Sequence, residues 1–377
     1  MQAIVLVGGE GTRLRPLTVT QPKPAIRLVD RPFIRFMVDW LSRHGVDEVL
    51  MACGFRAELL RDALGEGVDG GASLSYLEEP EPLGTAGPLK LADAQGLLDE
   101  RFLALNGDVL TDLDLGELIR SHERNEALAT LALHPVADPS AYGLVRRAGG
   151  PSQPGTEPAS ADGAVEEFLE KPSPGQISTD EISAGAYVLD RSVLDLVPPG
   201  RSVSIEREVF PRLVGEGLYG QRLEGYWMDI GTPERYLQAS WDILEGRVHT
   251  DLATRVDGVG LLVSEGAAVD SAAEVAPPAL IESGCSVAAG AKVGPHAVIG
   301  AGTEVAATAA ITGSVLDSHC RVGAGASVIG SILAAGVTVG DAATVPDGCV
   351  VGEAAVIAAG TRLAADSRVP PGEGKSA

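Results

Sequence analysis

From Val263 onward an aliphatic residue returns at every sixth position: Val269, Val275, Ile281, Val287, Val293, Ile299, Val305 and Ile311. The step then shortens once, to Leu316, and runs on through Val322 and Val328. It shortens again to Leu333 and continues through Val339, Val345, Val351, Ile357, Leu363 and Val369. A period of six suits neither a helix nor an alternating strand. It suits a parallel β-helix in which each hexapeptide makes one side of a triangular coil, with its aliphatic side chain turned inward. Glycine directly follows Val293, Ile299, Val322, Val339 and Val351, as crowded corners require. The two five-residue steps mark corners where the coil is drawn in or a side chain is redirected. Nothing before residue 248 carries this period, so two domains are expected, 1–247 and 248–377.

The first half alternates apolar runs with amphipathic stretches. Gln2–Leu6, Glu48–Cys53 and Phe102–Leu105 read as buried strands, and Phe33, Met37, Trp40 and Leu41 fall at helical spacing before a stop at His44-Gly45. This pattern predicts a Rossmann-like α/β domain with an open, mainly parallel sheet and helices on both faces. Ligands in such sheets sit beyond the carboxyl ends of the strands, where a glycine-rich loop and Asp108 fall. Residues 149–163 contain no apolar side chain larger than alanine or proline. They predict an exposed, mobile hairpin connection, an insertion or a lid.

The net charge of −23 argues against nucleic acid or an anionic membrane as partner, and no apolar run is long enough to span a bilayer. With the first strand starting at once, a cytoplasmic enzyme is the expectation. Cys53, Cys285, Cys320 and Cys349 lack paired metal-ligand spacing and read as small buried residues.

Local cations run against that acidic background. Gly8, Gly9 and Gly11 follow the first strand and let backbone N–H groups approach a phosphate chain, while Arg13, Arg15 and Lys23 supply positive charge. The loop lacks the Gly-Lys-Ser/Thr ending of a Walker loop, and Leu14 stands where a dinucleotide fingerprint needs glycine. Gly8-Gly9-Glu10-Gly11-Thr12-Arg13-Leu14-Arg15-Pro16-Leu17-Thr18, with Pro22-Lys23-Pro24, resembles the opening signature of the sugar-1-phosphate nucleotidyltransferases. The repeat is similar to the hexapeptide left-handed β-helix found behind the catalytic domain in several branches of that family.

The resemblance implies attack by a sugar-1-phosphate on the α-phosphorus of a nucleoside triphosphate. It assigns catalysis to Arg13, Lys23, Asp108 and Asp229, with Mg²⁺ held by Asp108 and Asp229. Nucleotide contacts fall to Leu6, Gly8, Gly9, Gly11 and Thr12, again to Arg13, Lys23 and Asp108, and also to Glu79, Gly84, Thr85 and Asn106. Gly143, Glu170, Lys171 and Ser183 face the sugar phosphate. Relatives often carry Asn where Ser183 stands, and a hydroxyl offers one donor where the amide has two. The Leu83–Leu89 segment, Ser204–Pro211 and Tyr226–Pro233 most resemble mannose-1-phosphate guanylyltransferases, which implies GTP and mannose-1-phosphate giving GDP-mannose. Thymidylyl- or uridylyltransferases acting on glucose-1-phosphate share the scaffold. Outside that class stand a silent nucleotide-sugar-binding regulatory subunit and an acyl-transferring β-helix using His296 or His319. The β-helix is expected to mediate homo-oligomerisation or regulation.

Overall fold

Buried apolar residues fill the middle of Gln2–Leu6, Glu48–Cys53 and Arg101–Asn106, as the runs predict. The computed structural model describes residues 1–54, 57–65, 67, 71–255 and 260–376, without the side chains of 253 and 254. The chain divides into two compact units, Met1–Gly9 with Met37–Trp227, and Glu10–Phe36 with Met228–Ala377.

The first unit holds a nine-stranded sheet. Its strands are β1 (Gln2–Leu6), β2 (Glu48–Cys53), β3 (Ser73–Glu78), β4 (Arg101–Asn106), β5 (Ala129–Pro135), β6 (Gly143–Arg147), β7 (Asp162–Glu170), β8 (Glu181–Asp190) and β9 (Leu218–Arg222). Their order is β3-β2-β1-β4-β8-β5-β9-β7-β6. Strands β3, β2, β1 and β4 run parallel. Beyond β4 the sheet is mixed, because β8 is antiparallel to β4 and β5, and β7 to β9 and β6. The chain steps outward from β1 to β3 and returns to β4 on the other side, so the topological switch lies between β1 and β4. Helix α1 (Phe33–Arg43) ends before Gly45, whose φ of +78° makes the glycine stop. Helix α2 (Leu115–Arg124) starts where Asp114 accepts the Glu117 N–H at 3.1 Å.

The 149–163 connection joins β6 to β7, and Ser152–Glu157 are exposed. Its base is held by a buried ion pair that the sequence did not announce. Arg147 meets Glu181 through two hydrogen bonds of 2.8 and 2.9 Å and donates to Ser160 O at 2.9 Å. Both side chains of the pair are fully buried.

In the second unit the repeat forms three parallel sheets of seven, seven and five strands. This is the pattern of the hexapeptide left-handed β-helix. The aliphatic series from Ile281 fills its interior together with Cys285, Cys320 and Cys349. Ile281 pairs with Ile299, eighteen residues on, but Ile299 pairs with Leu316, seventeen on. Both five-residue steps fall at one corner, Thr312-Gly313-Ser314 and Ile329-Gly330-Ser331, where φ is +59° at Gly313 and +51° at Gly330. A Cβ on Gly313 would lie 3.5 Å from the Trp241 ring of helix α3 (Pro233–Leu244). The coil is therefore drawn in where an indole rests against it.

The first sheet of the coil is apolar on both faces from Leu280 to Val350. Outward Leu280, Val298, Val315, Ile332 and Val350 are as buried as the inward series, whereas Ser286, Glu304 and Arg321 on the second sheet are exposed. Leu237 and Trp241 of α3 line one cavity of about 250 Å³ with Ile332, which identifies a cover for that face.

The Arg147 pair gives a stability test. Arg147→Ala leaves the Glu181 carboxylate buried, with only Arg222, at 3.9 Å, to answer it among the described residues. The urea unfolding free energy falls by about 3–5 kcal/mol, as expected when one partner of a buried pair is removed.

Candidate active site

In the first unit, the loops after β1 and β4 flank the topological switch. Gly8 approaches so closely that a Cβ there would stand 2.8 Å from Glu79 Oε1, and one on Gly54 would stand 3.0 Å from Gly8 O. Gly107 donates to Leu6 O at 2.9 Å and a Cβ on it would strike Val7 at 2.5 Å. Glycine is thus required on both loops by proximity. Asp108, half-buried, comes next after this contact.

Glu79, just past β3, accepts the Leu83 N–H at 3.1 Å. Burial pushes its carboxyl above the usual range, against that hydrogen bond. Gly84, at φ +77°, lies against Val203, where a Cβ would come within 2.5 Å of the carbonyl oxygen. The Thr85 hydroxyl donates to Glu206 Oε2 at 2.6 Å and accepts from the Ile205 N–H at 2.8 Å. It ties the two segments together. The sequence assigns Glu206 no role, since no local pattern shows that it meets Thr85, 121 residues away.

Among the residues expected to face the sugar phosphate, a Cβ on Gly143 would stand 3.2 Å from Glu170 Oε2. Lys171 follows with an exposed side chain and φ +55°, its N–H bonded to Tyr142 O at 2.9 Å. Ser183 lies at a β8 irregularity where Gly185 takes φ +74°, and a Cβ on Gly185 would strike the Asn106 amide at 2.9 Å. The Ser183 hydroxyl donates to Tyr187 Oη at 3.4 Å, and Asn106 Oδ1 is buried without a partner among the described residues. Ser183, Asn106 and Tyr187 therefore form one polar corner. Burial raises the Glu170 carboxyl pKa, and the Glu206 charge adds to the shift.

The second unit holds Arg13 and Lys23. Gly11, at φ +61°, folds the loop so tightly that a Cβ would come within 2.9 Å of Thr18 and 3.0 Å of Lys23. Thr18 donates to Gly11 O at 3.0 Å, and Thr12–Leu14 form a 3₁₀ turn that leaves Thr12 and Arg13 exposed. Arg13 and Asp229 come together beside Gly231, where a Cβ would stand 2.7 Å from Arg13 Nη2 and 3.2 Å from Asp229 Oδ2. Asp229 also pairs with Arg235 on the first turn of α3, whose N-cap is Thr232. Arg235 was missed. Its Thr-Pro-Glu-Arg setting reads as an ordinary helix start.

The four cysteines are buried and free, and burial pushes the Cys53 and Cys320 thiols up to about 12. No helix of the described residues is long and apolar enough to cross a membrane.

A family model described as nucleotidyl transferase matches residues 2–246. The chain belongs to that family. A second model, the GMPPB C-terminal domain, matches residues 275–371. The mannose-1-phosphate guanylyltransferase of Mycobacterium tuberculosis is 38% identical over 277 residues, 72% of each chain. A mannose-1-phosphate guanyltransferase of Yarrowia lipolytica is 40% identical over 243 residues, 64% of this chain and 63% of that one. Among solved structures, HddC from Yersinia pseudotuberculosis complexed with GMP-PN matches at 25% identity and TM-score 0.52, covering 64% of this chain and 99% of its own. A UDP-glucose pyrophosphorylase from Acinetobacter baumanii, 21% identical with TM-score 0.58 over 67% of this chain and 95% of its own, shares the fold.

The family works with a divalent metal ion. Among the described residues no group of three or more His, Cys, Asp or Glu could hold one unaided. Aspartate carboxylates suit a hard cation that takes its other ligands from substrate phosphates and water.

Glu170 links site and stability. Its folded pKa lies above the unfolded one, so its ionised form costs stability at neutral pH, and that cost fades as pH falls through the folded pKa. Glu170→Gln therefore unfolds at a higher temperature than the parent at pH 7.5. The gap narrows on acidification in a calorimetric pH series.

Proposed function

We propose that the protein transfers a guanylyl group from GTP to mannose-1-phosphate, giving GDP-mannose and pyrophosphate. The observation that carries this is the likeness to enzymes named for that reaction in a bacterium, yeasts and plants, at 37–40% identity. The residues support it. A phosphate oxygen of mannose-1-phosphate attacks the α-phosphorus, a new P–O bond forms, and the bond to the β-phosphate oxygen breaks with its electrons leaving on pyrophosphate. With a second pKa near ~6, the attacking phosphomonoester is already largely ionised, so no strong base is required. The chain's task is to hold two anions in line and balance the charge that develops.

Backbone N–H groups at Gly8, Gly9 and Gly11 and the side chains of Arg13 and Lys23 take the triphosphate, with Arg13 on the departing pyrophosphate. Leu6, Thr12, Glu79, Gly84, Thr85 and Asn106 frame base and ribose. Lys171 holds the sugar phosphate, Glu170 accepts a sugar hydroxyl, and Gly143 and Ser183 border the sugar. Asp108 and Asp229 supply oxygen donors for the divalent ion, Mg²⁺ in this account, which when bound offsets charge on the phosphates. The catalytic domain is taken as 1–247 and the β-helix as 248–377. The β-helix serves homo-oligomerisation, for which the exposed Ser286, Glu304 and Arg321 of the second sheet leave a face open, and the enzyme works in the cytoplasm.

Pyrophosphate release, measured for each of four nucleoside triphosphates with mannose-1-phosphate and glucose-1-phosphate, tests the assignment. GTP with mannose-1-phosphate gives the highest kcat/KM, chelation abolishes turnover, and Asp108→Asn lowers kcat about 100-fold. Preference for dTTP or UTP with glucose-1-phosphate would place the enzyme in another branch. No turnover with any pair would favour a regulatory subunit.

A further inference from the structure

The segment Glu10–Phe36 carries Arg13 and Lys23, and it belongs to the same compact unit as the β-helix. Four residues beyond Lys23, Arg27 turns to the coil. Its Nη2 donates to Glu282 Oε2, its Nε donates to Val29 O at 3.1 Å, and Asp317 Oδ1 lies 3.8 Å from that Nε. The Arg27 carbonyl accepts the buried Tyr236 hydroxyl from α3. The guanidinium is thus gripped at several points, all within this unit.

The grip is built into the repeat. Glu282 and Asp317 directly follow Ile281 and Leu316, which pair with Ile299 from either side. Gly300 follows Ile299, so one corner of three successive coils carries Glu282, Gly300 and Asp317 in a column. A Cβ on Gly300 would come within 2.6 Å of the Asp317 backbone. The column therefore has a carboxylate at each end and nothing between them. The coil pins both carboxylates, with the Ala301 N–H donating to Glu282 at 2.9 Å and the Ser318 N–H to Asp317 at 2.6 Å. Side-chain exposure is 21% at Arg27, 15% at Glu282 and 19% at Asp317, so this cluster is screened less than a surface pair.

The connection back to Lys23 is short and stiff. Lys23–Ala25 form a 3₁₀ turn, Ile26 donates to Lys23 O at 3.2 Å, and Pro24, Ala25 and Ile26 are buried. On the far side Val29 is held at φ +56°, a strained conformation for a β-branched residue. The Arg27 bond to its carbonyl supports it.

We propose that Arg27 is a positioning residue for the triphosphate loop, through which the Glu282–Asp317 column of the β-helix fixes the place of Lys23. This rests on the assignment of Lys23 to the triphosphate. It makes the coil part of the nucleotide site, in addition to any role in assembly.

The test uses the full chain with Arg27→Ala, Glu282→Gln, Glu282→Ala, the Arg27→Ala/Glu282→Ala double variant and Lys23→Ala. Thermal midpoints are recorded beside kcat and both KM values. Arg27→Ala raises KM for GTP about tenfold, since small displacements of a binding group are costly, and KM for mannose-1-phosphate stays within about twofold. Glu282→Gln moves the same constant in the same direction, and the double variant is no worse than Arg27→Ala alone. Equal rises in both KM values, an unchanged KM for GTP, or additive losses in the double variant overturn the proposal. Should Arg27→Ala fail to fold, the Glu282 variants decide by the same comparison. If Lys23→Ala leaves KM for GTP unchanged, the triphosphate assignment fails and takes this proposal with it. If Lys23→Ala raises it and Arg27→Ala does not, only the coupling fails.

Discussion

Two like unit charges held 4 Å apart repel by about 4 kcal/mol at an effective dielectric near 20. A nucleoside triphosphate and a sugar phosphate bring several such charges together, on a chain whose own net charge is −23. Much of the local architecture answers that repulsion. Glycines at 8, 11 and 107 stand where a Cβ would collide, so the loops draw in tightly and leave their backbone near the site. Arg13 comes to Asp229 beside Gly231, and Arg235 joins the same carboxylate. Burial, and after it the Glu206 charge, raise the Glu170 carboxyl pKa, so its ionised form carries a local cost.

The β-helix meets a different constraint. A coil buries only its inward side chains, yet the first sheet here carries apolar residues on both faces. That outer face must be covered, and α3 contributes Leu237 and Trp241 to the cover beside shortened corners at Gly313 and Gly330. The same helix reaches the Glu10–Phe36 segment through Tyr236 and the Arg27 carbonyl. Arg27 reaches the coil directly. Packing that shields the coil thus also contacts the segment that bears Arg13 and Lys23.

How much of this could be read from the chain depends on the range of each signal. Period six reports inward positions because every coil repeats them, and the glycine-cation loop reports itself within eighteen residues. Leu280, Val298, Val315, Ile332 and Val350 carry a second series, one residue ahead of the first and recurring once per coil, every seventeen or eighteen residues, which would have revealed the covered face. Arg147–Glu181, Thr85–Glu206 and Arg27–Glu282 were not legible. Each joins residues that look like ordinary surface charges or turn residues in their own neighbourhoods, and only tertiary folding makes them partners. The mixed strands beyond β4 were hidden for a similar reason, since antiparallel and parallel buried strands present the same apolar run.

In this account the protein supplies no nucleophile, and the sugar phosphate attacks the α-phosphorus directly. The four thiols, buried and free, fit that division of labour. The most direct test is the stereochemical course at phosphorus with a single diastereomer of GTP α-thiotriphosphate. One in-line displacement predicts inverted configuration at the α-phosphorus of the GDP-mannose thio-analogue. Net retention would reveal a covalent guanylyl-enzyme intermediate and contradict the account.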